Sequence, residues 1–412
     1  MPSQTLAIDF GTSNSAAAIF DGGRVRYLPI EGDAETLPTA VFFPTGQPMR
    51  IGAAASTALI DGEEGRYMRA LKSVLGLPLL HESRMLGGRR QTLADVITAF
   101  LIQMRRRAEA ETGQTFTRAL SGRPVHFHTS DPAKDAQAEA DLRGCYHAAG
   151  FDHVDFLPEP EAAVLAAHGM SAPGALGIIV DIGGGTSDFS IFRTQADGPE
   201  ILASHGIRLG GTDFDRAVSI AHAMPLLGLG GQLRRVMGQG LLPVPHAPFV
   251  DLATWPKIPF LYTPEMRRMV ADMLKVAEQP ERITRFAEVL EHELGHELAF
   301  AVERGKIDAN APEGQGAIRM NFIELGLAAP LSRAELDAVL HTNRTELAAA
   351  MSHTLTLAGV EGETIDSVVL VGGSSLMTLV EEVCASICPR AIQHRANAFT
   401  AVIDGLARAT AA

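Results

Sequence analysis

Two stretches of this sequence end an apolar run on an aspartate and follow it with glycines and hydroxyl residues. Asp9 leads into Gly11-Thr12-Ser13-Asn14-Ser15, and Asp181 leads into Gly183-Gly184-Gly185-Thr186-Ser187. Missing side chains let backbone N–H groups approach an anion, and the hydroxyls add donors, so both loops have the chemistry of a phosphate cradle. An aspartate at the end of the preceding strand is placed to hold a hydrated Mg²⁺ through water, because that ion keeps several of its waters. Taken singly, either loop is an ordinary glycine turn. Twice over, each led by Asp, they point to one phosphate-bearing ligand held from two sides. A third glycine-rich element, Gly372-Gly373-Ser374-Ser375, follows the apolar run SVVLV. A competing signal is His292-Glu293-Leu294-Gly295-His296, which fits the H-E-x-x-H zinc pattern.

The elements around these loops set the architecture. TLAIDFGTSNSAAAIF and LGIIVDIGGGTSDFSIFR each run apolar, polar, apolar, which predicts a β-hairpin with a polar turn in each case. The simplest arrangement is two similar α/β lobes clasping one nucleotide. Helices are expected over 159–169 and 396–409, and a turn followed by a helix over 206–219. Apolar residues at 283, 286, 290, 294 and 298 predict one continuous helix from Ile283 to about Ile307. His292 and His296 would share a side of it, but Glu303 would lie about 10 Å along the axis from His296, too far to be a third zinc ligand. A zinc peptidase is therefore disfavoured, and the two histidines are expected to face solvent or a partner. The region from 220 to 290, with the single Trp255, suggests an enlarged part of the second lobe, its Trp expected to be buried.

Composition removes several other classes. A formal charge of −13 argues against wholesale binding to nucleic acid or to an anionic membrane, and the MRRRAEA run at 104–110 is expected to be a solvated helix face. Three cysteines, Cys145, Cys384 and Cys388, with no CxxC pair, suggest neither a disulfide framework nor a thiolate zinc site. No basic and apolar leader opens the sequence and no window reaches the length of a membrane span, so a cytoplasmic protein is expected.

The ordered stretches IDFGTSNS, ALKSVLG, PEPEAAVLAAHG, DIGGGTSD, LGGTDFD, VERGKID and LVGGSSLM resemble the nucleotide-binding domain of the seventy-kilodalton heat-shock proteins, the DnaK-type chaperones. More closely, the chain is similar to the YegD-like chaperones. The resemblance implies an α/β, two-lobed actin-like ATPase fold of duplicated ribonuclease H-like lobes, 1–172 and 173–412, the second with an enlarged 220–310 subdomain and a final helix packing back near the lobe junction. It implies ATP and Mg²⁺ as ligands. Thr12 and Ser13 would contact the phosphates, with Gly11 and Asn14 in the same loop, and Gly183, Gly184, Gly185 and Thr186 would cradle them from the other lobe beside Gly210 and Gly211. Asp9 and Asp181 would organise Mg²⁺ through water. Lys72 would reach the γ-phosphate and the attacking water, which Glu159 and Thr186 help to position. Glu303 and Lys306 would border the ribose and adenine, with Gly372, Gly373 and Ser374 against the adenosine from the opposite side. Hydrolysis of ATP needs charge neutralisation and in-line placement more than covalent chemistry, which such a set supplies.

Three departures from the family accompany these matches. The adenine-stacking Arg falls at Ile307 and its nearby Ser at Asn310. The strand that carries the family's proline switch falls at Val125-His126-Phe127-His128, with no Pro in it. The sequence stops at Ala412 without the apolar linker or β-sandwich of a full chaperone, so no substrate-binding domain is expected. The reading is thus an ATP-binding, slowly hydrolysing protein acting through a protein partner, with a nucleotide-gated scaffold that scarcely hydrolyses as the alternative, and a small-molecule kinase of the same superfamily behind both.

Overall fold

A computed structural model describes residues 4–166, 174–195, 198–395 and 400–411. The chain divides into two compact units, Met1–Gly211 with Arg344–Ala412, and Thr212–Asn343. The 172/173 boundary expected between lobes lies outside the described residues, as do the ends of the helices expected at 159–169 and 396–409.

The first unit contains two sheets of the same design. In one, β1 (Thr5–Phe10), β2 (Asn14–Asp21) and β3 (Arg24–Leu28) run antiparallel, while β4 (Arg118–Arg123) and β5 (His153–Pro158) extend the sheet in parallel on the far side of β1. In the other, β6 (Leu176–Ile182), β7 (Ser187–Gln195) and β8 (Gly198–Ile207) form the antiparallel part, and β9 (Ser367–Val371) and β10 (Ile392–Arg395) add in parallel beside β6. The duplicated hairpin expected from the sequence is therefore present within a duplicated five-strand order. Its registers match as well: Asp9 pairs with Ala16, and Asp181 pairs with Asp188.

Helices close the layers. α1 (Leu93–Thr112) begins on a capping box between Thr92 and Asp95 and buries Phe100 and Met104. The Phe100 ring meets Phe10 edge-on at 5.7 Å. α2 (Pro132–Ala148) packs beside α1, and its buried Tyr146 shares a 2.8 Å hydrogen bond with Ser121 of β4. α3 (Glu159–Ala166) and the final helix Ala401–Ala409 form a common core with both sheets, where Ala7, Ala16 and Ala18 of the first meet Ile179, Val369 and Val371 of the second. Alanines on β1 and β2 leave the room that the two helices fill. Arg106 and Arg107 of the basic run are exposed, as expected, whereas Arg105 turns inward and donates to the Gly150 carbonyl at 2.6 Å.

The strand expected at Val125–His128 does not form. β4 ends at Arg123, Pro124 follows directly, and the amides beyond it are taken by carboxylates instead of a ladder. Val125 N donates to Asp188 at 2.7 Å, and Phe127 N and His128 N donate to Asp135 at 2.6 and 3.1 Å. Proline has no N–H to continue a ladder, so a proline does stand at the strand's end, one residue before the run in which it was sought.

In the second unit the helix expected from Ile283 to Ile307 is two helices, α5 (Pro280–Glu291) and α6 (Gly295–Asn310), broken at Glu293, whose φ is +54°. Tyr262 pins the corner: its hydroxyl donates to the Glu293 carbonyl at 2.9 Å and accepts from Gly295 N at 3.0 Å. A Cβ on Gly295 would lie 2.6 Å from Ile258 and 2.7 Å from the Tyr262 hydroxyl, so the close approach requires glycine. The two histidines of H-E-x-x-H consequently fall on opposite sides of the corner, His292 just past the end of α5 and His296 in the first turn of α6. His292 is exposed at the end of α5 against Glu288 at 3.3 Å, while His296 is buried beside the Trp255 ring, against the expectation that both face outward. Trp255 is buried, and its indole N–H donates to Asp215 at 3.3 Å.

Candidate functional site

The two loops are superimposable in their bonding. Each closes on itself by a hydrogen bond from its first glycine to its fourth residue, Gly11 N to the Asn14 carbonyl at 3.1 Å and Gly183 N to the Thr186 carbonyl at 3.0 Å. They also pack on one another, since a Cβ on Gly184 would fall 2.3 Å from the Ser13 hydroxyl. Behind the second loop lies the Leu209–Gly210–Gly211 turn that opens α4 (Gly211–Val218). Ser187 holds it by a 2.7 Å bond to the Leu209 carbonyl, and Gly211 N donates to the Gly183 carbonyl at 3.0 Å. The first loop is tied down by Thr39, whose N–H donates to the Ser13 carbonyl at 2.9 Å and whose hydroxyl meets Ser15 at 2.7 Å.

Between the loops opens a cleft. Of the residues anticipated from the sequence, Asp9, Gly11, Thr12, Ser13, Asn14, Lys72, Glu159, Asp181, Gly183, Gly184, Thr186, Gly372, Gly373 and Ser374 all line it. Gly185, Gly210 and Gly211 stand in the layer just behind, where a Cβ on Gly211 would meet the Ser374 hydroxyl at 2.3 Å. Glu303 and Lys306 belong to the second unit. There Lys306 is buried against Asp215, Nζ to Oδ1 at 2.6 Å, and the same carboxylate takes the Trp255 indole. Ile307 is 57% exposed on α6, and Asn310 accepts from Arg333 at 3.2 Å.

The floor of the cleft is acidic around one ammonium. Lys72 Nζ lies 2.5 Å from Glu159 Oε1, with both residues buried. The lysine is carried on a short 3₁₀ turn, Leu71–Val74, entered through Ala70, a buried non-glycine residue at φ +60° and ψ +34°. A left-handed alanine costs about 1 kcal/mol or more, and here it aims the turn and its lysine inward. Burial pushes the Asp9 carboxyl up to about 7, with the Glu159 charge adding to the effect and Lys72 opposing it. Asp181 is also raised well above the usual carboxylate range, by burial first and then by Glu159, Asp188 and Asp9. For Lys72 burial works against the charge, but Glu159 and Asp9 outweigh it and hold the ammonium above its ordinary value.

Asp188 was not singled out from the sequence. Its side chain accepts from Val125 N at 2.7 Å and from the Thr186 hydroxyl, and burial followed by the Glu159 charge lifts it to about 8. The signal was its position opposite Asp181 across the hairpin, a place taken by Ala16 in the first sheet.

A buried group of carboxyls that outnumbers its single cation fits a hard divalent ion, whose preferred donors are oxygens. Asp9 and Asp181 would hold Mg²⁺ through water. The pH dependence follows from the folded carboxyls of Asp9, Asp181 and Asp188 lying above the ordinary value of 3.8, so that the folded chain binds these protons more tightly than the unfolded one. Their stabilising contribution is fully present below that value and is lost as pH rises through about 7 to 8. Mg²⁺ is therefore expected to raise the melting temperature more at pH 8 than at pH 6, as checked by differential scanning fluorimetry with and without the ion. An equal shift at both values would contradict this.

A family model described as Hsp70 protein matches residues 78–224, a span that includes Glu159, the second loop and Gly210–Gly211. The chaperone protein DnaK of Endomicrobium trichonymphae is 26% identical over 386 residues, which are 92% of this chain and 52% of that protein. The chaperone protein DnaK of Elusimicrobium minutum (strain Pei191) is 26% identical over 417 residues, covering 98% of this chain and 56% of its own length. The chain thus spans about half the length of the curated relatives it matches. Among the described residues, no helix is long and apolar enough to cross a membrane.

Proposed function

We propose that the chain carries an Hsp70-family nucleotide-binding domain of the actin-like ATPase fold, and that it binds ATP with Mg²⁺ between the two loops and hydrolyses it slowly. The observation that carries the reading is the buried Lys72–Glu159 pair on the floor of the cleft that both loops line. Backbone amides of the loop residues beyond Gly11 and Gly183, whose own N–H groups close the two turns, would take the phosphate oxygens, and Thr12 and Ser13 would add their hydroxyls. Bound Mg²⁺ supplies neutralisation of phosphate charge. The Lys72 ammonium, with its partner Glu159, would orient a water towards the terminal phosphorus and draw off charge there. The water oxygen bonds to phosphorus as the bridging oxygen leaves with ADP, and the water proton ends on the phosphate product. Gly372, Gly373 and Ser374 would face the adenosine.

The biological role that accompanies this chemistry is that of a chaperone-related cytoplasmic protein, in which the state of the γ-phosphate changes the conformation that a protein partner reads. Acid-quenched time courses with excess ATP and Mg²⁺ test the enzymatic part. ADP and phosphate are expected to accumulate in equal amounts and to disappear as products when Mg²⁺ is chelated. Tight ATP binding with no product would leave the nucleotide-gated scaffold in its place.

A further inference from the structure

The 3₁₀ turn that carries Lys72 is held, along its outgoing side, by side chains from other segments of the chain. The Ser73 carbonyl accepts from Arg208 Nη2 at 2.8 Å, the Leu75 carbonyl accepts from His128 Nε2 at 2.8 Å, and Gly76 N donates to Asp141 Oδ2 at 3.0 Å. The first two of these holders are also bonded to each other. Because His128 Nε2 faces a carbonyl it carries the proton, which leaves Nδ1 to accept from Arg208 Nη1 at 3.2 Å. Their segments are laced once more by Arg208 N, which donates to the Thr129 hydroxyl at 3.1 Å. Arg208 stands directly before Leu209–Gly210–Gly211, the turn that backs the second loop. One guanidinium thus reaches from the support of that loop to the turn that carries the lysine. The turn needs such support: a single 3₁₀ turn is weak by itself, and its entrance residue Ala70 is left-handed at φ +60°, a conformation that alanine keeps only where its surroundings impose it.

We propose that Arg208 and His128 are positioning residues for the Lys72 ammonium: by holding the Ser73 and Leu75 carbonyls they keep the strained turn in place and fix where the lysine stands relative to the second loop. The proposal rests on the hydrolytic reading above for its kinetic consequence. A charge misplaced by about 1 Å stabilises a transition state far less, while the loop amides would continue to hold the nucleotide. Loss of the clamp therefore belongs in kcat and not in ATP affinity. Glycine takes the left-handed conformation without the strain that alanine carries, so Ala70→Gly should make the turn less dependent on its clamp.

The test measures single-turnover cleavage and ATP affinity on the full chain. Arg208→Ala is expected to slow cleavage about tenfold, the rate equivalent of one charge-assisted hydrogen bond, with the Kd for ATP unchanged within about twofold. His128→Ala is expected to slow it likewise, and the double variant to lose less than the product of the two, because both act on one turn. Adding Ala70→Gly to Arg208→Ala is expected to recover cleavage several-fold, which neither a lost charge nor a general loss of stability would allow. Cleavage by Arg208→Ala at the wild-type rate, equal losses in cleavage and affinity, or no recovery with Ala70→Gly would overturn the proposal. A second measurement needs no hydrolysis. Ser73 N donates to the Ala70 carbonyl at 3.0 Å and Leu75 N to the Lys72 carbonyl at 3.3 Å, and hydrogen exchange at these two amides, read on the chain alone, should be about tenfold faster in Arg208→Ala and return towards wild type with Ala70→Gly. Unchanged exchange would also overturn it. Absence of cleavage in the wild type counts against the hydrolytic reading alone, because exchange still decides whether Arg208 holds the turn.

Discussion

Lys72→Ala is expected to slow ATP turnover by about 10²–10³-fold, the usual cost of removing a charge that is preorganised against a transition state in a buried site. The size follows from the setting. The ammonium is buried, bonded to Glu159 at 2.5 Å, and surrounded also by Asp9 and Asp188, so that no other described cation among its electrostatic partners takes its place. Its loss would leave the acids facing the phosphate uncompensated, and Glu159 would have no fixed partner to orient it. ATP binding should fall far less than turnover, because the loop amides and the Mg²⁺ contribution persist. Single-turnover phosphate release, set beside an equilibrium titration of the same variant, checks both halves. Turnover near the wild-type rate would remove Lys72 from the mechanism, and equal losses in binding and turnover would make it a ligand holder only.

Gly210→Ala is expected to abolish nucleotide binding and to cost the fold several kcal/mol, a range associated with overpacking against atoms that cannot yield. A Cβ at this position would stand 2.5 Å from Gly185 N and 2.6 Å from the Gly184 carbonyl carbon. These are backbone atoms of the second loop. The loop cannot retreat, because its far side already rests on Thr12 and Ser13, so the methyl would be accommodated only by displacing the amides that face the cleft. Chemical denaturation and ATP titration of the variant give the two readouts. Gly144→Ala is a suitable control, since a Cβ there meets nothing within 4 Å and its backbone is not left-handed.

Much of this site was legible in the sequence because its determinants are local. Gly11 and Gly183 begin loops of equal length between continuous apolar runs, and a hairpin with a glycine turn needs no long-range information to be read. The duplicated order of strands followed from the repeat of that unit. What escaped depended on contacts between distant residues. The apolar stripe at 283, 286, 290, 294 and 298 is consistent with one helix, yet Tyr262, from a separate segment, captures both Glu293 and Gly295 and forces a corner. His296 then turns inward beside Trp255, a placement that no spacing within H-E-x-x-H reveals. Pro124 ends the strand one residue before Val125, and the carboxylates that take the amides beyond it, Asp135 and Asp188, come from other segments of the chain. Asp188 itself stands in the stretch DIGGGTSD, but its weight in the site comes from burial beside Glu159, which is a property of the packed core.

Lys306 illustrates the same division. Its spacing from Glu303 on one helix was correct, and both lie on α6. The ion pair with Asp215, itself held by the Trp255 indole, joins that helix to the segment after Gly211 and to the enlarged region of the second unit. The unusual sequence around Trp255 is thereby part of the support for α6 and not an appended surface.

The central claim is that the two glycine-rich loops hold a nucleotide, and isothermal titration calorimetry of the purified chain with ATP, in the presence and absence of Mg²⁺, tests it most directly. One ATP per chain is predicted, with affinity reduced when Mg²⁺ is chelated and with heat abolished in Gly210→Ala. No heat of binding at high protein concentration in the presence of Mg²⁺, from a chain shown to be folded, would contradict it.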